Sequence, residues 1–332
     1  MKILITPPAD RTFARYFPPE ITERLRTFGE VERNPLGRSF TPEELCERMA
    51  DVDVLITHWG TPKIDERVLR HAPRLRLVAH AAGSVANIAS EALFDRDIPV
   101  LSANPVMARY VAESVLGYMI AATHRFVQTD RLLRAGGWNK LEAQQSSLFH
   151  ANIGLIGLGA VGRNLLDLLA PFGCRVSVCD PYVPADALQK WGFARLCDFQ
   201  TAMRNPIVSV HASQTPETRR MINKEALSLL PPGAVLINSA RASIVDTEAL
   251  VAAVKEKALY AVLDVYEKEG AGQIGNALPE LKDHTLLQPH AAAAAAGAEM
   301  TRAVVEDIGR FVRGEALLLR VSRAGFRLMT QE

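Results

Sequence analysis

The hexapeptide GLGAVG constrains this chain more than any other stretch, because it sets Gly157, Gly159 and Gly162 in G-x-G-x-x-G spacing between an apolar run, NIGLI, and a helical one, RNLLDLLAPFG. Each glycine has a separate task in a strand-turn-helix unit. The first turns tightly, the second lets backbone N–H groups approach a pyrophosphate, and the third lets helix and strand pack closely. Asp180 follows at the end of the next strand, and a carboxylate there accepts hydrogen bonds from ribose hydroxyls and repels a 2′-phosphate. Pro181 and Tyr182 come next rather than an arginine, so the pattern favours NAD(H) over NADP(H).

The surrounding chain fits that unit. At about 150 residues per domain, 332 residues make roughly two domains. Short β-branched runs alternate with helical patterns in the first third: KILIT, VDVLIT and LRLVA read as parallel strands joined by crossover helices. Pro42, with Glu43 and Glu44 behind it, marks a helix start, and PKIDERVLRHA reads as a helix stopped by Pro73. After LSANP the run ARYVAESVLGYMIAATHRF predicts a long, broadly apolar helix suited to an interface, with the first domain crossing near Ala103. ANIGLIG, CRVSVCD, PIVSVHA, GAVLINSA and ALYAVLD are apolar enough for strands covered on both faces, which predicts a doubly wound parallel sheet. The helix AEMTRAVVEDIGRFVRG should stop at Gly314.

Composition excludes several functions. A net charge of +1 lacks the basic excess of nucleic-acid binders. No apolar run reaches the ~18 residues of a membrane span, and the first residues meet proline too early for a signal peptide, which points to the cytoplasm. Cys46, Cys174, Cys179 and Cys197 form no C-x-x-C pair and read as small buried residues of a reducing compartment. The histidines show no metal-ligand spacing, and no G-x-S-x-G elbow occurs.

Hydride transfer to a carbonyl requires a substrate clamp and a proton donor. Arg241 lies just past the strand AVLIN, where open α/β sheets bind ligands, and a guanidinium there can grip a carboxylate. His290 follows the strand TLLQ, with Pro289 fixing its approach, and Glu269 is placed to pair with the imidazole. Each also has an ordinary structural reading when taken singly. His211 ends a strand and reads as structural or cofactor-adjacent; His58, Trp59 and His80 sit past strands of the first domain and would line a cleft, with Trp59 equally a packing residue.

HAAGSVANI, VAESVLGYM, GGW, GLGAVG, Asp180, TPETRRMIN, INSARASIVDTEAL, LDVYEKE and PH, in that order, resemble the D-isomer-specific 2-hydroxyacid dehydrogenase family. The resemblance implies a Rossmann NAD-binding domain, residues 103–296, inserted in a discontinuous flavodoxin-like substrate domain, residues 1–102 and 297–332. It implies Arg241 as the residue that orients the substrate, Glu269 as the partner of the histidine and His290 as the acid/base. Asp264 would contact the nicotinamide carboxamide, while Ala160, Val161, Pro216, Ser239 and Ala240 would touch the cofactor. Gly83, Ser84 and Val85 would offer N–H groups to the substrate carboxylate. The implied reaction interconverts a small 2-keto acid and its D-2-hydroxy acid with NAD(H), in a cytoplasmic homodimer joined through the helix near Val111–Thr123. Ala86, Ala89, Ala242 and Gly270 depart from the family pattern. Two other readings of the same fold are an NADH-sensing, co-repressor-like scaffold and a phosphite-type dehydrogenase; Glu269 argues against a formate-oxidising relative, in which glutamine stands there.

Overall fold

The computed structural model describes residues 1–9, 13–138, 145–270, 278, 281 and 283–329, which divide into two compact units: Met1–Ala108 with Ala294–Glu332, and Arg109–Ala293. The first unit is built on a five-stranded parallel sheet of β1 (Lys2–Ile5), β2 (Glu30–Arg33), β3 (Val54–Thr57), β4 (Leu77–His80) and β5 (Val100–Ser102), ordered β2-β1-β3-β4-β5. That is the flavodoxin-like order. Val54–Thr57 and Leu77–His80 are buried along their whole length, as strands covered on both faces must be. Leu4, Leu55, Val78 and Val100 meet Leu45, Val68 and Leu93 from the flanking helices in one core cluster.

The second unit holds β6 (Asn152–Ile156), β7 (Arg175–Cys179), β8 (Ala194–Leu196), β9 (Ile207–Val210), β10 (Val235–Asn238), β11 (Tyr260–Leu263) and β12 (Thr285–Leu287). Their order is β12-β11-β10-β9-β6-β7-β8, every pairing parallel. This is the doubly wound dinucleotide-binding order. It reverses between β6 and β9, and β6 is the strand that feeds the glycine turn. Ile156, Val208, Val210, Leu236 and Ala261 pack with Leu227, Leu250 and Val254 in this unit's core.

Local sequence chemistry sets the helix boundaries. Thr41 and Glu44 form a reciprocal capping box around Pro42, so a helix begins there as predicted and runs Pro42–Arg48. The helix expected over PKIDERVLRHA is shorter, Glu66–Arg70. Asp65 caps it by accepting from Arg67 and Val68, while Ile64 before it gives its N–H to Ile88. The long apolar helix starts at Asn104 and stops at Thr123, because Arg125 adopts φ +54 and turns the chain before the next helix, Phe126–Arg134. The last long helix, Gly297–Arg313, ends on Gly314 in the left-handed conformation, as expected of a glycine stop. Among the described residues no helix is long and apolar enough to cross a membrane.

Candidate active site

The glycine turn separates what the fold needs from what a ligand needs. Gly157 has φ +93, and a Cβ on it would lie 2.6 Å from the Ala212 nitrogen; a Cβ on Gly162 would lie 2.8 Å from the Gly157 carbonyl oxygen. Both positions are glycine because backbone approaches backbone. Gly159 is different: it has ordinary φ −72 and a Cβ there would meet nothing within 4 Å. It caps the ten-residue helix Ala160–Leu169, whose first turn carries Ala160 and Val161 and has no side-chain cap. Glycine at that point keeps open the approach to the helix N-terminus, where unpaired N–H groups favour an anion. At the end of β7, Asp180 accepts from Leu158 N–H at 2.7 Å and Tyr182 N–H at 2.9 Å, which ties the carboxylate to the turn. Each carboxylate oxygen retains acceptor capacity for ribose hydroxyls.

The contrast between two of the glycines can be measured. Gly157→Ala should destabilise the second unit by about 2 kcal/mol or more, since it forces a Cβ into backbone at positive φ. Gly159→Ala should leave the melting midpoint near the parental value and weaken NADH binding by about tenfold or more, ~1.4 kcal/mol. Calorimetry of unfolding and NADH titration check both; unchanged NADH affinity in Gly159→Ala would contradict a pyrophosphate at this turn.

At the end of β10, Asn238 is buried and organises the next segment: its side chain accepts from Ala240 N–H at 3.1 Å and donates to the Arg241 carbonyl at 2.9 Å. Arg241 donates to the Ala240 carbonyl at 2.8 Å. The Ser239 hydroxyl is buried without a hydrogen-bond partner in the protein, an orphaned group of the kind a bound ligand satisfies. Pro216 is exposed in the loop after β9, where Thr215 N–H donates to the Thr218 hydroxyl at 2.8 Å. The glycine turn, the open N-terminus, the acid at β7 and the orphaned serine together fit a dinucleotide.

At the ends of β11 and β12 the structure brings Glu269 and His290 together: a carboxylate oxygen lies 2.9 Å from Nδ1, with both side chains about half exposed. His290 has φ +54, and Asp264 shows what holds it there. Asp264 is 1% exposed, and its two oxygens accept from Ala291 N–H at 2.8 Å and Ala292 N–H at 2.9 Å, so it clamps the backbone just after the histidine. Burial pushes its carboxyl up, and the two backbone donors oppose that shift. Tyr266 adds a second tie: it donates to the Leu263 carbonyl at 3.0 Å and accepts from Gln288 N–H at 3.1 Å, with its hydroxyl pushed up to about 12 by burial. Gly270, directly after Glu269, has φ +133, a conformation that glycine adopts freely and proline cannot. His211 pairs with Ser209 at 2.9 Å, and burial lowers its pKa to about 4, which suits a structural group.

In the first unit, Gly83–Val85 follow β4. A Cβ on Gly83 would strike the Met107 thioether; Val85 is buried and its carbonyl accepts from Ile88 at 3.0 Å and Ala89 at 2.7 Å. Ala86 and Ala89 are buried too, so packing braces this loop. The sequence reading missed Asn238, Tyr266 and the backbone role of Asp264. Asn238 lies in the INSAR segment and ends a strand, which is the one signal that could have marked it.

The sheet order and the glycine turn define a dinucleotide-binding α/β protein of the Rossmann type. Residues 116–292 match the family model described as "D-isomer specific 2-hydroxyacid dehydrogenase, NAD binding domain". The chain is 31% identical over 319 residues to D-3-phosphoglycerate dehydrogenase of Methanocaldococcus jannaschii, covering 95% of this chain and 58% of that protein. It is 30% identical over 312 residues to glyoxylate reductase of Thermococcus litoralis, covering 91% and 93%. A phosphoglycerate oxidoreductase from Rhizobium etli superposes with TM-score 0.79 at 25% identity, covering 97% of this chain and 99% of that one. The chain belongs to the D-isomer specific 2-hydroxyacid dehydrogenase family. It spans little more than half the length of the archaeal phosphoglycerate dehydrogenase, 58%.

Proposed function

We propose that this chain is an NAD(H)-linked oxidoreductase that interconverts a small 2-oxo acid and the corresponding D-2-hydroxy acid. The observation that carries the reading is the Glu269–His290 pair at 2.9 Å, on the same carboxyl edge of the sheet as the glycine turn. Gly157, Gly159, Ala160, Val161 and Gly162 would hold the pyrophosphate, Asp180 the ribose, and Pro216, Ser239, Ala240 and Arg241 the nicotinamide half. The bound nicotinamide supplies or accepts the hydride at the substrate's C2. In the reductive direction His290 gives a proton from Nε2 to the carbonyl oxygen, since Nδ1 is taken by Glu269. Glu269 thereby orients the ring and stabilises the imidazolium. Arg241 holds the substrate carboxylate and polarises its carbonyl, and the N–H groups of Ser84 and Val85 serve the same carboxylate. The resemblance puts Asp264 at the carboxamide; its two backbone bonds support a positioning role for the His290 loop.

The body containing Met1–Ala108 would be the substrate domain and Arg109–Ala293 the cofactor domain. The chain would act as a homodimer in the cytoplasm. Four unpaired cysteines agree with a reducing compartment, and Phe126 and Leu133, 56% and 47% exposed after the long helix, agree with a covered surface. Sedimentation of the purified protein tests the dimer. For the activity, the protein is mixed with NADH and glyoxylate, hydroxypyruvate, pyruvate or bulkier 2-oxo acids. Loss of NADH absorbance with at least one is expected; loss with none rejects the reading.

A further inference from the structure

The first unit has a topological switch point of its own. In its sheet the order reverses between β1 and β3, and a parallel sheet opens its crevice outside the carboxyl ends of the two strands flanking that reversal. The residues found there are aromatic. His58, directly after β3, lies with its ring 4.4 Å from that of Trp59 at 85°, and the Tyr16 ring is 4.5 Å from His58 and 5.9 Å from Trp59. Trp59 remains 50% exposed although two rings hold its edge. His58 is 6% exposed, and its Nε2 is buried without a hydrogen-bond partner in the protein.

Among the described residues the same edge carries few charges. Residues 6–9, 57–61 and 80–90, which follow β1, β3 and β4, contain no Lys, Arg, Asp or Glu. Burial lowers the His58 pKa to about 4, so at neutral pH its ring adds no charge either. Arg15 is the described cation beside the patch; it donates to the Ala294 carbonyl and lies 5.8 Å from the Tyr16 ring centroid. A phosphate substituent requires several cationic or N–H donors in fixed geometry. A flat apolar ring requires an aromatic edge or face.

We propose that Tyr16, His58 and Trp59 read the substituent of the substrate, selecting 2-oxo acids with an uncharged, planar aromatic side chain over phosphorylated ones. The inference rests on the hydride-transfer reading above and sets this chain apart from the phosphoglycerate dehydrogenases it is similar to. Trp59 is the specificity-determining residue, because it alone of the three leaves half its surface for a ligand.

The test is steady-state kinetics with saturating NADH on the parent, Trp59→Ala and Trp59→Phe, using phenylpyruvate, pyruvate and 3-phosphohydroxypyruvate. Matching melting midpoints show that the variants are folded. In the parent, kcat/KM should be highest for phenylpyruvate and lowest for the phosphorylated acid. Trp59→Ala should lower kcat/KM for phenylpyruvate by about tenfold or more, chiefly through KM, and for pyruvate by much less, with Trp59→Phe restoring most of the loss. If 3-phosphohydroxypyruvate is the best substrate, or Trp59→Ala affects all three acids alike, the aromatic patch does not read the substituent, while hydride transfer stands. Reduction of none of these or of the other 2-oxo acids overturns both.

Discussion

His290→Asn is expected to lower kcat by 10²–10⁴-fold, about 3–5 kcal/mol of transition-state stabilisation, the range lost when a positioned general acid is removed. Asparagine is the informative replacement because His290 has φ +54, a conformation asparagine tolerates and alanine does not. Alanine would mix backbone strain into the result. Glu269→Gln should lower kcat by less, since the amide still contacts Nδ1 and keeps the ring oriented but lacks the carboxylate's charge. Parental turnover in His290→Asn would remove His290 from the chemistry.

Acid should unfold the cofactor-free protein through its buried histidines. Burial lowers His58 to about 4, His80 to about 3 and His211 to about 4, from an ordinary 6.5. Below pH 6.5 the unfolded chain takes up protons at these positions while the folded protein does not, so stability is fully present above 6.5 and falls as pH drops towards 4. With three such groups the slope reaches up to ~4 kcal/mol per pH unit, at about 1.4 for each. His80 sits at the end of β4, its Nδ1 2.9 Å from the Thr57 hydroxyl, and His58 lies nearby with its own Nε2 unpartnered. Denaturant midpoints measured from about pH 7 to about pH 5 should decline steeply, and His80→Gln should reduce the slope by one proton's share. A flat profile over that interval would mean the rings are solvated in the folded state.

Much of this protein was legible in its residues. Apolar runs such as VLIT and VLIN announce strands covered on both faces, and GLGAVG between strand and helix announces a nucleotide turn, because these are local statements about periodicity and backbone freedom. Glu269 and His290 were legible as a pair because His290 stands just beyond a strand end, Glu269 lies in the loop after another, and the segments around them resemble one family. The helix after LSANP was legible in kind, and its end was not; Arg125, at φ +54, breaks the chain where composition alone continues the helix.

What the tertiary structure decided are the relations between distant residues. Asp264 read as a cofactor contact, and in the fold its carboxylate clamps the backbone 27 and 28 residues onward. His58 and Trp59 read as neighbours of a cleft, but that one is buried and neutral while the other is half exposed follows from Tyr16 packing beside them. By itself the sequence determined the strand order's building blocks, the nucleotide turn and the residue types of the site. Burial, the hydrogen bonds that close long loops and the left-handed backbone of His290 depend on atoms brought together only by folding. For that reason only the tertiary structure could set the geometry on which the chemistry depends.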